Sequence, residues 1–265
     1  MSKNVFTFDI NMQFKELSKN KAADFGSLSR KKIRDSKSLF IIEGEKCVAD
    51  SLNCFDLVNL VCTKEWLEAN PTRLDKISDR VLVAKEPGLM KKISSLSSVP
   101  DVIGIFSKPR QPLDIPILDK DSLYLLLDEI QDPGNLGTII RTCNWFGVKN
   151  VFASKGTVDI YNQKTVQSAM GSIGKVNVVY CDLGELITKN RELPVFGTLL
   201  EGENYTNLKS GTTGFLIMGN EGNGISPHLK SMVTKAITIP PANDLDHPDS
   251  LNVAIATAII LSRIC

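Results

Sequence analysis

From residue 122 the chain alternates short, almost wholly apolar runs with longer stretches whose apolar residues recur every three or four positions. The runs LYLLL (123–127), KNVFAS (149–154), VNVVY (176–180), PVFGTLL (194–200), GFLIMG (214–219) and AITIP (236–240) have the length and apolar content of buried strands. Between and after them the periodicity predicts helices near 135–146, 162–170, 182–190 and 226–233, with a last one over 250–263. Strands with no polar face, separated by helical crossovers, predict an α/β domain whose parallel sheet is covered on both faces. In such sheets ligands bind beyond the carboxyl ends of the strands.

Residues 1–107 read as a smaller α/β unit. A basic amphipathic helix is expected over 14–23, followed by the turn-like GSLS. LFIIEG (39–44) is a buried strand ended by glycine, with a helix after it over KCVADSLN (46–53). LVNLVCT (57–63) and RVLVAK (80–85) are further strands, KEPGLMKKISSL (85–96) a short helix, and VPDVIGIFSKP (99–109) a closing strand. Prolines 109, 112 and 116 mark a linker over 108–120, which leaves 121–265 as the second domain.

Composition narrows the class only broadly. With 265 residues, 42% hydrophobic and 23% charged, the chain can build two cores and has no disordered signature. No apolar run reaches the roughly 18 residues of a membrane span, and the first twenty residues lack the apolar stretch of a secretory signal. The expectation is a cytoplasmic protein with no membrane partner. The six cysteines are scattered without a CxxC pair, which argues against zinc or a disulfide scaffold and for packing roles. Cys143 could in principle be a nucleophile, but no activating histidine adjoins it. Net charge is +1, unevenly distributed: nineteen Lys/Arg against fourteen Asp/Glu through Arg110, twelve against sixteen after it. The first part is the better surface for a polyanion, and Arg30, Lys31, Lys32 and Arg34 in RKKIRDSK are its densest cluster. A solvated helix face would explain that cluster equally well.

Three stretches place polar groups beside glycine at the edges of apolar segments: PGNLGTIIRTCNWFG (133–147), IMGNEGNGIS (217–226) and HPDSLNVAIATAIIL (247–261). The loop GNEGNG has the spacing GxxGxG, the reverse of the dinucleotide fingerprint, and no P-loop lysine follows. Glu221 within it repels phosphate but can bind a hydroxyl or orient a guanidinium. Arg141 lies midway along a predicted helix, six residues after Asn135, and is expected beside the loop rather than in solvent. In the third stretch Ser250 is read as the helix N-cap, and the helix after it is apolar nearly all round and so buried. Asn252, a poor residue for a helix interior, should have a specific partner. His247 reads as an exposed loop histidine.

Together the three stretches resemble the signature motifs of the SpoU/TrmH family of RNA 2′-O-ribose methyltransferases, in order, over about 121–263. The resemblance implies a SPOUT-type α/β domain with a deep C-terminal trefoil knot, a homodimer formed through that domain, and S-adenosyl-L-methionine as cofactor without a metal. Asn135, Arg141, Glu221, Ser250 and Asn252 match the family's catalytic positions. The cofactor is then held around Gly219, Asn220, Gly222, Gly224, Ile239 and Leu251, with Thr198 and Leu199 nearby. The N-terminal part resembles the family's substrate-binding domain, a small fold similar to some ribosomal proteins, which implies delivery of RNA and favours ribosomal RNA. Two alternatives stay open: a transfer-RNA 2′-O-methyltransferase, and a non-catalytic RNA-binding module on the same fold.

Overall fold

The computed structural model describes residues 14–70, 75–110, 114, 116–242 and 249–265. The readings of residues 1–13, of Pro112 and of His247 fall outside them. The chain separates into two compact units, Met1–Pro109 and Arg110–Cys265.

The first unit is a five-stranded mixed sheet of order β1-β4-β3-β5-β2. Its strands are β1 (Lys15–Glu16), β2 (Leu39–Glu43), β3 (Leu57–Thr63), β4 (Val81–Ala84) and β5 (Val102–Ser107). Strands β1, β4 and β3 run parallel, whereas β5 pairs antiparallel with both β3 and β2. Around it lie α1 (Lys19–Gly26), α2 (Lys31–Lys37), α3 (Glu45–Ser51), α4 (Lys64–Ala69) and α5 (Pro87–Ile93). The helix expected over 14–23 begins later. Ser18 is its N-cap, accepting from the Lys21 amide, and Lys15–Glu16 ahead of it is taken by pairing with β4. Leu17, Ala22, Phe25 and Leu28 close this core with Ile41, Val61, Leu89 and Ile103.

The second unit is a six-stranded, all-parallel sheet of order β11-β9-β10-β6-β7-β8. Its strands are β6 (Leu123–Leu127), β7 (Asn150–Ala153), β8 (Asn177–Tyr180), β9 (Val195–Asn204), β10 (Gly214–Met218) and β11 (Lys235–Thr238). The helices are α6 (Pro133–Phe146), α7 (Gln163–Ser168), α8 (Leu183–Lys189), α9 (Pro227–Lys230) and α10 (Val253–Ile264). Alternate residues of each strand serve opposite faces. Tyr124, Leu126, Phe152 and Phe215 pack with Leu183, Leu186 and Leu229 of α8 and α9. Leu125 and Leu127 are fully buried, as are Leu136, Ile139, Ile140 and Cys143 of α6, which packs against α7 and α10.

Two features of this sheet prepare a site. The chain leaves β6 toward β7 and β8 on one side, while β9, β10 and β11 lie on the other, so connections diverge between the adjacent ends of β6 and β10. That is the switch point at which parallel sheets bind ligands. The second feature is a break in register: one step along β11, from Ala236 to Ile237, spans Gly197 to Glu203 on β9, so residues 198–202 bulge out of the pairing.

Candidate active site

At the carboxyl end of β6, Asp132 caps α6 by accepting from the Asn135 amide at 2.8 Å. That bond, with the Lys164 ammonium at 3.4 Å in support, holds the Asp132 carboxyl below the ordinary value of about 3.8. The cap fixes the first turn of α6, and with it the half-buried side chain of Asn135. Asn135 Nδ2 donates to Glu221 Oε1 at 2.9 Å, and its Oδ1 accepts from Asn252 Nδ2 at 2.9 Å. The second carboxylate oxygen of Glu221 accepts from the Gln131 amide at 3.4 Å. One residue from each signature stretch therefore meets in a single hydrogen-bonded group, open to solvent on the side of Glu221.

Asn252 rather than Ser250 caps α10. Its Oδ1 accepts from the amides of Ala254 (2.9 Å) and Ile255 (3.2 Å), leaving its amide nitrogen for Asn135. Ser250 is two residues too early and sits exposed in a bend. The expectation that Asn252 has a specific partner holds; the expectation that Ser250 is the cap does not. Nor is α10 buried all round. Val253, Ala254, Thr257, Ile260 and Leu261 face the protein, while Ile255 is 53% exposed and Leu251 just before it 51%.

No hydrogen bond or ion pair ties Arg141 to the described residues of the loop. Six residues along a helix is about 600°, which places its side chain on a different face from Asn135 and about 9 Å farther along the axis. It is exposed and makes no hydrogen bond or ion pair with a described residue. Cys143, two residues on, is fully buried, and burial pushes its thiol far up, so it is a packing residue and no thiolate nucleophile. Not every cysteine packs, however: Cys54 and Cys265 are exposed.

The GNEGNG loop is built around Asn220. Its Oδ1 accepts from the amides of Gly222 and Asn223, both at 2.9 Å, and its Nδ2 donates to the Glu129 carbonyl at 2.8 Å. The Asn220 side chain is thus engaged by the protein rather than turned toward a ligand. Gly219 is buried, and a Cβ there would lie 2.4 Å from Gly224 C and Ile225 N, so the loop closes only over glycine. Gly222 differs: it is exposed, and a Cβ would meet nothing nearer than Asn220 Oδ1 at 3.6 Å. The fold does not require glycine at 222, and the space above its backbone is open.

Thr198 and Leu199 lie in the β9 bulge, with Thr198 Oγ1 donating to the Ile217 carbonyl at 2.9 Å. Leu200 beyond them is 76% exposed, and Ile239 follows β11, half-buried. In the first unit, Arg30, Lys31 and Lys32 are exposed, though Lys31 pairs with Asp35 at 2.7 Å. Arg34 is 2% exposed and cannot serve an RNA surface: its Nη1 donates to the carbonyls of Leu28 (2.9 Å) and Ser29 (2.7 Å), filling the end of the preceding turn.

Sequence reasoning missed Gln131, Ser154 and Thr157. Ser154 and Thr157 follow the carboxyl end of β7, and that position was the available signal, since functional groups in parallel sheets collect there.

Residues 122–262 match the model of the SpoU rRNA Methylase family. The 23S rRNA (guanosine(2553)-2′-O)-methyltransferase RlmP of Bacillus subtilis is 29% identical over 252 residues, covering 94% of this chain and 97% of that protein. The AdoMet-bound rRNA methyltransferase of Sinorhizobium meliloti superposes with a TM-score of 0.80 at 31% identity, over 94% of this chain and 96% of that one. The SpoU methyltransferase AviRb of Streptomyces viridochromogenes, also solved with AdoMet, has the same fold: TM-score 0.80 at 22% identity, over 92% and 96%.

Proposed function

We propose that this chain, which belongs to the SpoU rRNA methylase family, transfers the methyl group of S-adenosyl-L-methionine to a ribose 2′-hydroxyl of ribosomal RNA. The observation that carries this reading is the meeting of Asn135, Glu221 and Asn252, from three distant segments, at the switch point of a parallel sheet. The ribosomal substrate is favoured by the Bacillus and Sinorhizobium relatives, which align along nearly the whole chain, first unit included.

The residues present fit the cofactor. The open space over Gly222 and the start of the segment after β11, at Ile239, lie at the carboxyl ends of β10 and β11, the bulge at 198–202 lies within β9, and their backbone groups would hold it. When bound, it supplies an electrophilic methyl on a sulfonium. The chain's own part is to place and polarise the attacking hydroxyl. Glu221, fixed by Asn135 and the Gln131 amide, keeps lone pairs for a ribose hydroxyl, and Asn252 holds the Asn135 carboxamide in one orientation. Arg141, exposed and uncommitted, is left to grip a phosphate or stabilise developing alkoxide charge. An arginine is always protonated, which favours that electrostatic role over a base.

Two further parts of the reading follow from family membership. The C-terminal segment that brings Asn252 to Asn135 passes through a knot, and the unit pairs with a second copy. The pairing is supported by exposed apolar side chains on two packed helices, Trp145 of α6 (84% exposed) and Ile255 of α10 (53% exposed). The first unit binds RNA through Arg30, Lys31 and Lys32, and a cytoplasmic location belongs to the same reading. Purified protein incubated with labelled cofactor and either ribosomal or transfer RNA from a strain lacking its gene tests the substrate. Label in ribosomal RNA is expected. Label confined to transfer RNA, or RNA binding without label, would overturn the reading in favour of one of the two alternatives.

A further inference from the structure

Glu129, just past β6, has φ +56°, one of three non-glycine residues with positive φ among those described. A side chain in that left-handed region is strained and persists only where its surroundings impose it. The imposing groups are identifiable. The Glu129 amide donates to Ser154 Oγ at 2.8 Å. Thr157 Oγ1 donates to the Leu127 carbonyl at 3.1 Å and accepts from the Ile130 amide at 3.3 Å. Because the single Thr157 hydroxyl proton is committed to Leu127, the 3.4 Å contact between the two hydroxyls has Ser154 as its donor. Two hydroxyls at the end of β7 therefore grip the backbone on both sides of Glu129.

The opposite edge of Glu129 faces the other loop. Its carbonyl accepts from Asn220 Nδ2, while Asn220 Oδ1 orders the amides of Gly222 and Asn223, the two residues that follow Glu221 in the turn. Glu221 then returns to the β6–α6 turn through Gln131 and Asn135. The result is a closed ring of hydrogen bonds across the switch point, strained at one residue.

We propose that Ser154, Thr157 and Asn220 are positioning residues: they lock Glu129 in the left-handed conformation and through its carbonyl set the loop that presents Glu221 to Asn135. The proposal rests on the reading of that group as the catalytic centre. The three side chains are committed to the protein's own loops, so the proposal predicts an effect on turnover rather than on binding.

Four variants test it by steady-state methyl transfer, with cofactor affinity and melting temperature measured alongside. Asn220→Asp keeps an oxygen for the Gly222 and Asn223 amides but turns a second acceptor on the Glu129 carbonyl, so only the cross-loop bond is lost. Ser154→Ala removes the grip on the Glu129 amide, and Glu129→Val makes the left-handed conformation costlier. Each is expected to lower kcat about tenfold or more with KM for cofactor and RNA little changed, as misplacement of a reacting group does. Combining Glu129→Gly with Ser154→Ala should recover most of the lost turnover, because glycine adopts positive φ unaided. A merely structural role would not give that rescue. Wild-type kcat in Ser154→Ala and Asn220→Asp, or failure of glycine to rescue, overturns the proposal. Absence of methyl transfer by the unaltered protein would instead overturn the functional reading beneath it.

Discussion

Asn252 performs two tasks with one carboxamide, and they can be separated. Its oxygen caps α10 and its nitrogen holds Asn135. Asn252→Ala loses both: about 1 kcal/mol for the cap and about 1 kcal/mol for the hydrogen bond. In a unit of this size that is a fall in melting temperature of about 4–8 °C. Asn252→Asp keeps an N-cap, with a charge the helix dipole favours, and loses only the second task, so it should melt about 2–4 °C lower at most. In turnover the order changes. Both variants release the Asn135 carboxamide, and Asp sets an acceptor against its Oδ1, so kcat should fall about a hundredfold in each. Initial rates of methyl transfer from labelled cofactor, read beside thermal denaturation, give both quantities. Wild-type turnover in Asn252→Asp, or a turnover that simply tracks melting temperature across the pair, would refute the reasoning.

Arg141→Ala should abolish methyl transfer while leaving cofactor affinity and melting temperature unchanged, since the side chain has no described partner to lose; calorimetric titration and a turnover assay check this. Arg34→Ala should destabilise the first unit by about 2–3 kcal/mol by orphaning two carbonyls, whereas Lys32→Ala should weaken RNA binding, more at low salt, without changing stability. Denaturation and filter binding separate these. The Asp132 carboxyl is depressed by the Asn135 amide first and Lys164 second. Its contribution to stability is therefore present above about pH 4 and is lost as pH falls through its lowered folded value. The melting difference between the unaltered protein and Asp132→Ala should accordingly shrink between pH 5 and the acid limit of folding, and a constant difference would contradict the assignment.

How far the sequence foretold this molecule depends on the range of the interaction that decides each feature. The strands of the second unit were legible because their apolar runs state their own burial: LYLLL and GFLIM became adjacent strands with almost the bounds expected. The meeting of Asn135, Glu221 and Asn252 was foreshadowed by the family's motif order, and the hydrogen bonds give it geometry. The choice between Ser250 and Asn252 as cap was not legible. Either residue type suits the position, and the decision is made by Asn135, 117 residues away in the chain. Arg34 looked like one of four equivalent basic residues, yet the orphan carbonyls of Leu28 and Ser29 draw it inside. The left-handed Glu129 carries no glycine or asparagine to announce it, because its conformation is imposed by Ser154 just past the next strand.

The central claim is that Glu221, Asn135 and Asn252 together present a ribose hydroxyl for methylation. Nucleoside analysis by mass spectrometry, after the protein has acted on unmodified ribosomal RNA with isotopically labelled S-adenosyl-L-methionine, tests it most directly. The account predicts label in one 2′-O-methylnucleoside, lost in Asn135→Ala and Glu221→Ala. Label on a base, or label that survives both substitutions, would contradict it.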